Sequence, residues 1–264
     1  MMEAGSWTQI AATIATLMAV GAALFKEKII GWLYPPKLIV SAKMSPPDID
    51  KIPDVRMFMS GGISITAPSP ISMSSIDTYF LRLWVQNVGR SKAENVQVFA
   101  AKLERKIAGD SFEPVDSFLP MNLRWAFGSE TPTHAETFAE AILPEMGVHC
   151  NLARIAVPAH RKKLGDDHPE AKEGQTVMVL QTELRPTNHI NVLKPGTYRL
   201  ELLVAGNNCK RKSWIVELVL TGEWFDDKER MFREGVRMRV LDESPQQETL
   251  SKAVQRAIEK AVLR

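Results

Sequence analysis

The chain has 264 residues, 45% of them hydrophobic, and its 33 basic and 31 acidic side chains leave a net charge of +2. That is enough chain and enough apolar content for one packed body, and the balanced charge excludes bulk electrostatic attraction to nucleic acid, so no nucleic-acid partner is expected. Two cysteines, Cys150 and Cys209, lie far apart outside any CxxC pattern, which excludes a disulfide-built scaffold and a zinc knuckle and leaves a single bridge between them open.

The first element is Trp7 to Phe25, WTQIAATIATLMAVGAALF, which carries no charge. As a helix it reaches roughly 28 Å, close to the thickness of a bilayer's hydrocarbon core. A cleaved signal peptide and a buried core helix are the other readings. The residues before Trp7 hold no Lys or Arg, and the apolar run outlasts a usual signal core, so the sequence favours a membrane span and a lipid bilayer as partner through residues 7–25. Lys26, Lys28 and Lys37 follow the run while Glu3 precedes it, which by the positive-inside rule puts the body on the cytoplasmic side of a plasma membrane. Ala11, Ala15, Ala19 and Ala23 recur every four residues and offer a smooth stripe for self-association, although a generic Ala-rich span explains them too. KEKIIGWLY then carries Trp32 and Tyr34 at headgroup level until Pro35 and Pro36 stop the helix. Residues 1–36 are thus an anchor and a stiff joint.

The body is expected over residues 37–241. Leu38 to Met44 reads as a first strand, with Leu38, Val40 and Ala42 on one face. Ser45 to Ser75, rich in Pro, Ser, Gly and Met, has no sustained period and reads as a long loop with at most a short strand. Tyr79, Leu81, Leu83 and Val85 alternate with polar residues, as do Val96, Val98 and Ala100. These are two strands, joined by GRSKA with Gly89 suited to positive φ, either neighbours in one sheet or on opposite sheets. Between Glu104 and Gln175 the pattern weakens: short strands are expected at Val115 to Leu119 and Asn122 to Phe127, a short element in AETFAEAIL, and an exposed loop over residues 150–175, above all Arg161 to Gln175. Order returns in TVMVLQTEL and INVLKPG. Tyr198, Leu200, Leu202 and Val204, then Trp214, Val216, Leu218 and Leu220, mark two core strands. Asp226 and Glu229 have capping-box spacing for a helix ending near Gly235, and Val236 to Leu241 reads as a last strand. Residues 242–264 form an amphipathic helix whose Leu250, Val254, Ile258 and Val262 share one stripe, which docks on the body or pairs with another chain.

LRLWVQNVGRSKAENVQV resembles the strand-turn-strand of bacterial immunoglobulin-like sandwich domains, including the adhesion-type modules called CARDB. LKPGTYRLELLV resembles the corner of such sandwiches, and the resemblance implies that the Tyr198 hydroxyl ties back to backbone just upstream. The layout as a whole is similar to short bacterial membrane proteins with no known activity. The fold class expected is therefore mainly β: an immunoglobulin-like β-sandwich preceded by a transmembrane helix and followed by a C-terminal helix. Modules of this kind commonly lie outside the cell, whereas the flanking charges here point inward.

Chemistry is sparse. His149, Cys150, His160, His168, Asp166 and Asp167 are types that bind zinc, but none has the spacing of a ligand pair, and ordinary loop residues explain them. Cys209 has basic neighbours in GNNCKRK that would lower a thiol pKa, and a hairpin turn explains the same residues. Neither a GxSxG elbow nor a phosphate-binding glycine loop is present. Asp226, Asp227 and Glu229 suit a cation, yet capping accounts for them. The basic runs His160 to Lys163 and CKRKS would touch anionic lipid if they faced a bilayer. No catalytic, cofactor-binding or metal residue is assigned and no cofactor is expected. The reading is a non-enzymatic binding or scaffolding protein at the inner face of a bacterial membrane with a protein partner. An envelope-binding module outside the membrane and an enzyme with a loop-borne site are the alternatives.

Overall fold

The computed structural model describes residues 12–21, 25, 33–59, 71–126 and 137–241, with the backbone alone for 54–59 and 71–74. Residues 12–21 are helical (α1) and stand exposed along most of their length. Among the described residues no helix is long and apolar enough to cross a membrane. The remainder of the expected span, including Ala11 and Ala23, and the whole expected helix at 242–264 lie outside the described residues.

The body is mainly β and consists of two antiparallel sheets. In the first, β3 (Ile71–Asn87) is central, with β9 (Gly147–Ala156), β10 (Met178–Leu180) and β11 (Val192–Leu193) following on one side. The other edge of β3 is shared by β1 (Leu38–Ser41), which pairs with residues 84–87, and β2 (Ile49–Met59), which pairs with residues 71–81. In the second sheet β14 (Val236–Leu241), β13 (Cys209–Leu220), β12 (Gly196–Gly206) and β4 (Ala93–Lys106) lie in that order. The free side of β4 takes β5 (Phe112–Pro114), β6 (Met121–Asn122) and β8 (Ala139–Ile142) in turn. Between them β7 (Arg124–Trp125) crosses to pair with β9 in the first sheet.

The alternation in sequence explains the core. Tyr79, Leu81, Leu83 and Val85 from the first sheet and Val96, Val98, Leu200, Leu202, Val216 and Leu218 from the second all belong to one buried cluster. Side chains two apart on a strand share a face, so each sheet turns one apolar face to the other. Fully burying a side chain of this size contributes about 2 kcal/mol, and the shared cluster outweighs any single contact at the edges.

Several expectations change. Of the two arrangements open to Tyr79 to Val85 and Val96 to Ala100, the opposite-sheet one is found and the neighbouring one is not. Gly89 does not have positive φ. A Cβ there would instead meet Lys37 N at 2.4 Å and Pro36 Cα at 2.7 Å, so glycine is required by the close approach of the Pro-Pro joint. Within Ser45 to Ser75, residues 49–59 and 71–75 are strand where a loop is expected, residues 60–70 lying outside the described residues: β2 pairs with β3 over Ile49↔Leu81 to Met59↔Ile71, and it tolerates Pro53 because an edge strand needs no N–H there. Residues 150–156 belong to β9, and Arg161–Leu164 form a short helix, α2. Within the segment expected to be exposed, Arg161 is 6% and Asp166 1% exposed. Asp227, one residue after the position expected from the capping box, caps the short helix α3 (Lys228–Arg230) by accepting from Arg230 N–H at 2.8 Å. Cys150 and Cys209 are both thiols, so the bridge left open is not formed.

Candidate functional site

One end of the body receives the chain from the leader, and it is built around Asn87. This side chain is fully buried at the end of β3. Its Oδ1 accepts from Lys37 N–H (3.2 Å) and Gly89 N–H (3.0 Å). Its Nδ2 donates to the carbonyls of Ser91 (2.7 Å) and Ile142 (3.0 Å). One amide therefore ties together the entry joint, the β3–β4 turn and the β8–β9 turn, and both of those turns carry the chain between sheets. Backbone bonds reinforce the knot: Asn87 N–H donates to the Met146 carbonyl (2.9 Å), Glu145 N–H to the Asn87 carbonyl (2.7 Å) and Val88 N–H to the Lys37 carbonyl (2.8 Å).

The β12–β13 hairpin reaches the same end. Asn208 Oδ1 accepts from Glu94 N–H (3.0 Å) while its Nδ2 donates to the Lys92 carbonyl (2.7 Å), and Asn207 N–H donates to the Glu94 carbonyl (2.9 Å). The basic run CKRKS therefore lies on the leader side, with Lys210 and Arg211 exposed. Val88, Leu143 and Met146 are apolar yet 43%, 53% and 59% exposed, and the joint adds exposed Leu33 and Tyr34. The Arg90 guanidinium lies over the Tyr34 ring at 5.4 Å.

The opposite end is closed differently. Tyr79 Oη donates to the carbonyls of Phe225 (2.8 Å) and Asp226 (3.1 Å), its ring packing on Trp224 at 5.1 Å and Phe232 at 5.8 Å. Burial pushes the Tyr79 phenol up to about 12. Lys51 bridges Asp77 (2.9 Å) and Asp226 (3.4 Å), and Lys228 pairs with Asp50 (2.6 Å). The hydrogen bond donated by Lys228 holds the Asp50 carboxyl below its usual range, and the one Lys51 donates to Asp77 raises the Lys51 ammonium.

The residues singled out by type are dispersed. His149 and Cys150 are neighbours on β9 and so point to opposite faces. Cys150 is buried in the core and its thiol is pushed up by that burial, whereas His149 Nε2 sits 2.9 Å from Asp48 Oδ1 beside Trp84. Asp166 is committed to two guanidiniums, Arg154 (2.7 Å) and Arg185 (2.8 Å), and Asp167 approaches Arg161 at 3.6 Å. Among the described residues no group of three or more His, Cys, Asp or Glu is placed to hold a metal ion. Burial raises the Cys209 thiol, against the lowering expected from its basic neighbours. Asp226 accepts from Trp224 Nε1 (2.9 Å) and Asp227 is spent on its cap. A small polar cavity of about 180 Å³ is lined by Arg124, Arg154, Thr182, Arg185 and Asn191, among others. Sequence reasoning passed over Asn87, although the Asn-x-Gly signal lay in the motif that carried the family resemblance.

Compared with known proteins, the chain matches no family model, no curated sequence and no solved structure.

Proposed function

We propose that the protein is a membrane-tethered, non-catalytic binding or scaffolding module. An N-terminal span holds an immunoglobulin-like β-sandwich at the cytoplasmic face of a bacterial inner membrane, where the sandwich offers its surface to a protein partner. The observation that carries this reading is the leader: ten helical residues on which Ile14, Leu17, Met18 and Val20 are 51%, 66%, 67% and 49% exposed, inside an uncharged run of nineteen residues. So much apolar surface on one short helix is what lipid covers. The sandwich reading is supported by the two antiparallel sheets with their common core and by Tyr198, whose hydroxyl donates to the Lys194 carbonyl at 2.9 Å as the tyrosine corner of such folds requires. The non-catalytic reading draws on the burial of Cys150 and the commitment of Asp166 to arginines.

The test is fractionation of bacteria expressing the full chain and a chain lacking residues 7–25. The full chain is expected in membranes that resist carbonate extraction, the shortened one in the soluble fraction, and the body is expected to survive protease added to intact spheroplasts. A full chain that dissolves without detergent overturns the tether; digestion from outside places the body in the envelope. Crosslinking in intact membranes then captures the partner, and a partner retained by the shortened chain binds the sandwich itself.

A further inference from the structure

We propose that the Asn87 end of the body is itself a lipid-contact surface, seated on the headgroups of an anionic bilayer, so that the body stands on the membrane instead of swinging from its leader. This rests on the tether proposed above and adds a defined orientation to it.

Three observations carry the seat. First, the chain from the leader reaches the body here: Lys37 is bonded to Asn87, and the Gly89 backbone lies so close to residues 35–37 that no side chain fits between them. A joint held against the body at residues 35–37 brings the leader to this end. Second, Val88, Leu143 and Met146 project apolar side chains into solvent from turns that Asn87 binds together, beside Leu33 and Tyr34. Other exposed apolar residues of the body, such as Ile107 and Leu184, lie elsewhere, and scattered single ones need no explanation. Third, the surrounding cations match an anionic surface. Lys37, Arg90 and Lys210 are exposed at this end, while its acids among the described residues of these turns are Glu145 and Glu94, the latter paired with Lys92 at 3.0 Å. Apolar tips ringed by cations and an aromatic side chain form the pattern of a headgroup-level contact. At the opposite end the cations Lys51 and Lys228 are engaged by Asp77, Asp226 and Asp50, so they offer an anionic bilayer less than the cations of the leader end do.

The experiment uses the full chain reconstituted in phosphatidylglycerol or phosphatidylcholine vesicles containing a phospholipid with a carbene precursor in its headgroup, with crosslinked peptides mapped by mass spectrometry. In phosphatidylglycerol the expected crosslinks fall in residues 86–92, 143–147 and 207–212. Each cation at such a surface is worth about a five-fold change in occupancy, so the triple variant Lys37→Gln, Arg90→Gln, Lys210→Gln is expected to lower these yields at least that much and to leave the leader's crosslinks unchanged. Phosphatidylcholine is expected to do the same to the unaltered chain. The double variant Leu143→Ser, Met146→Ser is expected to lower the yield in both lipids. If the protein floats with vesicles but crosslinks stay within residues 7–34, or move to the β2–β3 end, the seat is overturned and the tether stands. Equal body crosslinking in the two lipids overturns the electrostatic match. A chain that does not float overturns tether and seat together.

Discussion

The two ends of the body solve one problem, holding two sheets together where their strands stop, with different chemistry. At the leader end a single neutral amide, Asn87, supplies four hydrogen bonds to backbone groups from three segments. At the far end the closure joins β2, β3 and the segment before β14 through Tyr79, Lys51, Asp226, Asp50 and Lys228, and apart from the Tyr79 hydroxyl and its ring contacts it depends on charge. A neutral buried knot is indifferent to pH and salt, whereas exposed ion pairs are screened and titrate. Rigidity independent of ionic conditions is thus placed where the chain enters the body from its N-terminal segment, and the end that answers to solution conditions is the other one.

The largest effect that tests this contrast is Asn87→Ala. Removing four bonds from a fully buried position leaves two carbonyls and two N–H groups to find other partners, at a cost of about 3 kcal/mol. Urea unfolding of the full chain in detergent reads that loss, and limited proteolysis is expected to show new cleavage near Lys37 and Met146. A loss within about 0.5 kcal/mol would mean that the three segments are held by something else.

Gly89→Ala comes next. Its Cβ would press on Lys37 N, Pro36 Cα at 2.7 Å and Pro35 O at 2.8 Å, all backbone atoms that have no rotamer to escape into. Overpacking of this kind costs about 2 kcal/mol and is expected to loosen the joint without disturbing the far end. Hydrogen exchange faster at Lys37 to Val40 and unchanged at Thr78 to Leu81 is the signature. At the far end Tyr79→Phe deletes the hydroxyl that donates to Phe225 and Asp226 but keeps the ring, and a loss of about 1 kcal/mol in the same unfolding measurement is expected.

The strands that form the facing surfaces were legible because alternation is local: Tyr79 to Val85 and Trp214 to Leu220 announce their buried faces residue by residue. β9 was hidden for the opposite reason. Leu152 to Ala156 are all buried, since this strand is covered on both faces, and its run includes Arg154 at 4% exposure. Nothing near Arg154 in sequence explains that burial; its partner Asp166 is twelve residues away and the second guanidinium on Asp166, from Arg185, a further nineteen. The broken edge along β4 was unreadable because β5, β6 and β8 are two to four residues long, too short to show a period. Asn87 escaped notice as a site residue because its meaning lies in Ile142, fifty-five positions downstream. The exposed apolar turns had no local signal at all: Val88, Leu143 and Met146 become a surface when two sheet crossings meet.

The smallest effect separates the ends most cleanly, because it uses pH alone. Asp50 accepts from Lys228 Nζ and from the Lys51 backbone N–H and feels the Arg82 charge as well, and the Lys228 hydrogen bond depresses its carboxyl. A depressed carboxyl contributes stability above the unfolded value near 4 and loses it as pH falls through the lower folded value, so the far end weakens in acid. Lys51 and Tyr79 have the opposite sign. Both are raised in the fold, Tyr79 to about 12, so their contribution is complete below about 10 and is lost as pH rises from there through their folded values. The leader-end knot has no ionisable member. Melting temperature against pH is therefore expected to fall below about 4 and above about 10, with the alkaline fall reduced in Tyr79→Phe and the acid fall reduced in Asp50→Asn after allowance for each variant's lower plateau. Asn87→Ala should shift the whole profile down in parallel, since the bonds it removes carry no charge. If its loss instead varied with pH across those limbs, the two ends would be coupled, and the division between a neutral closure and a charged one would fail.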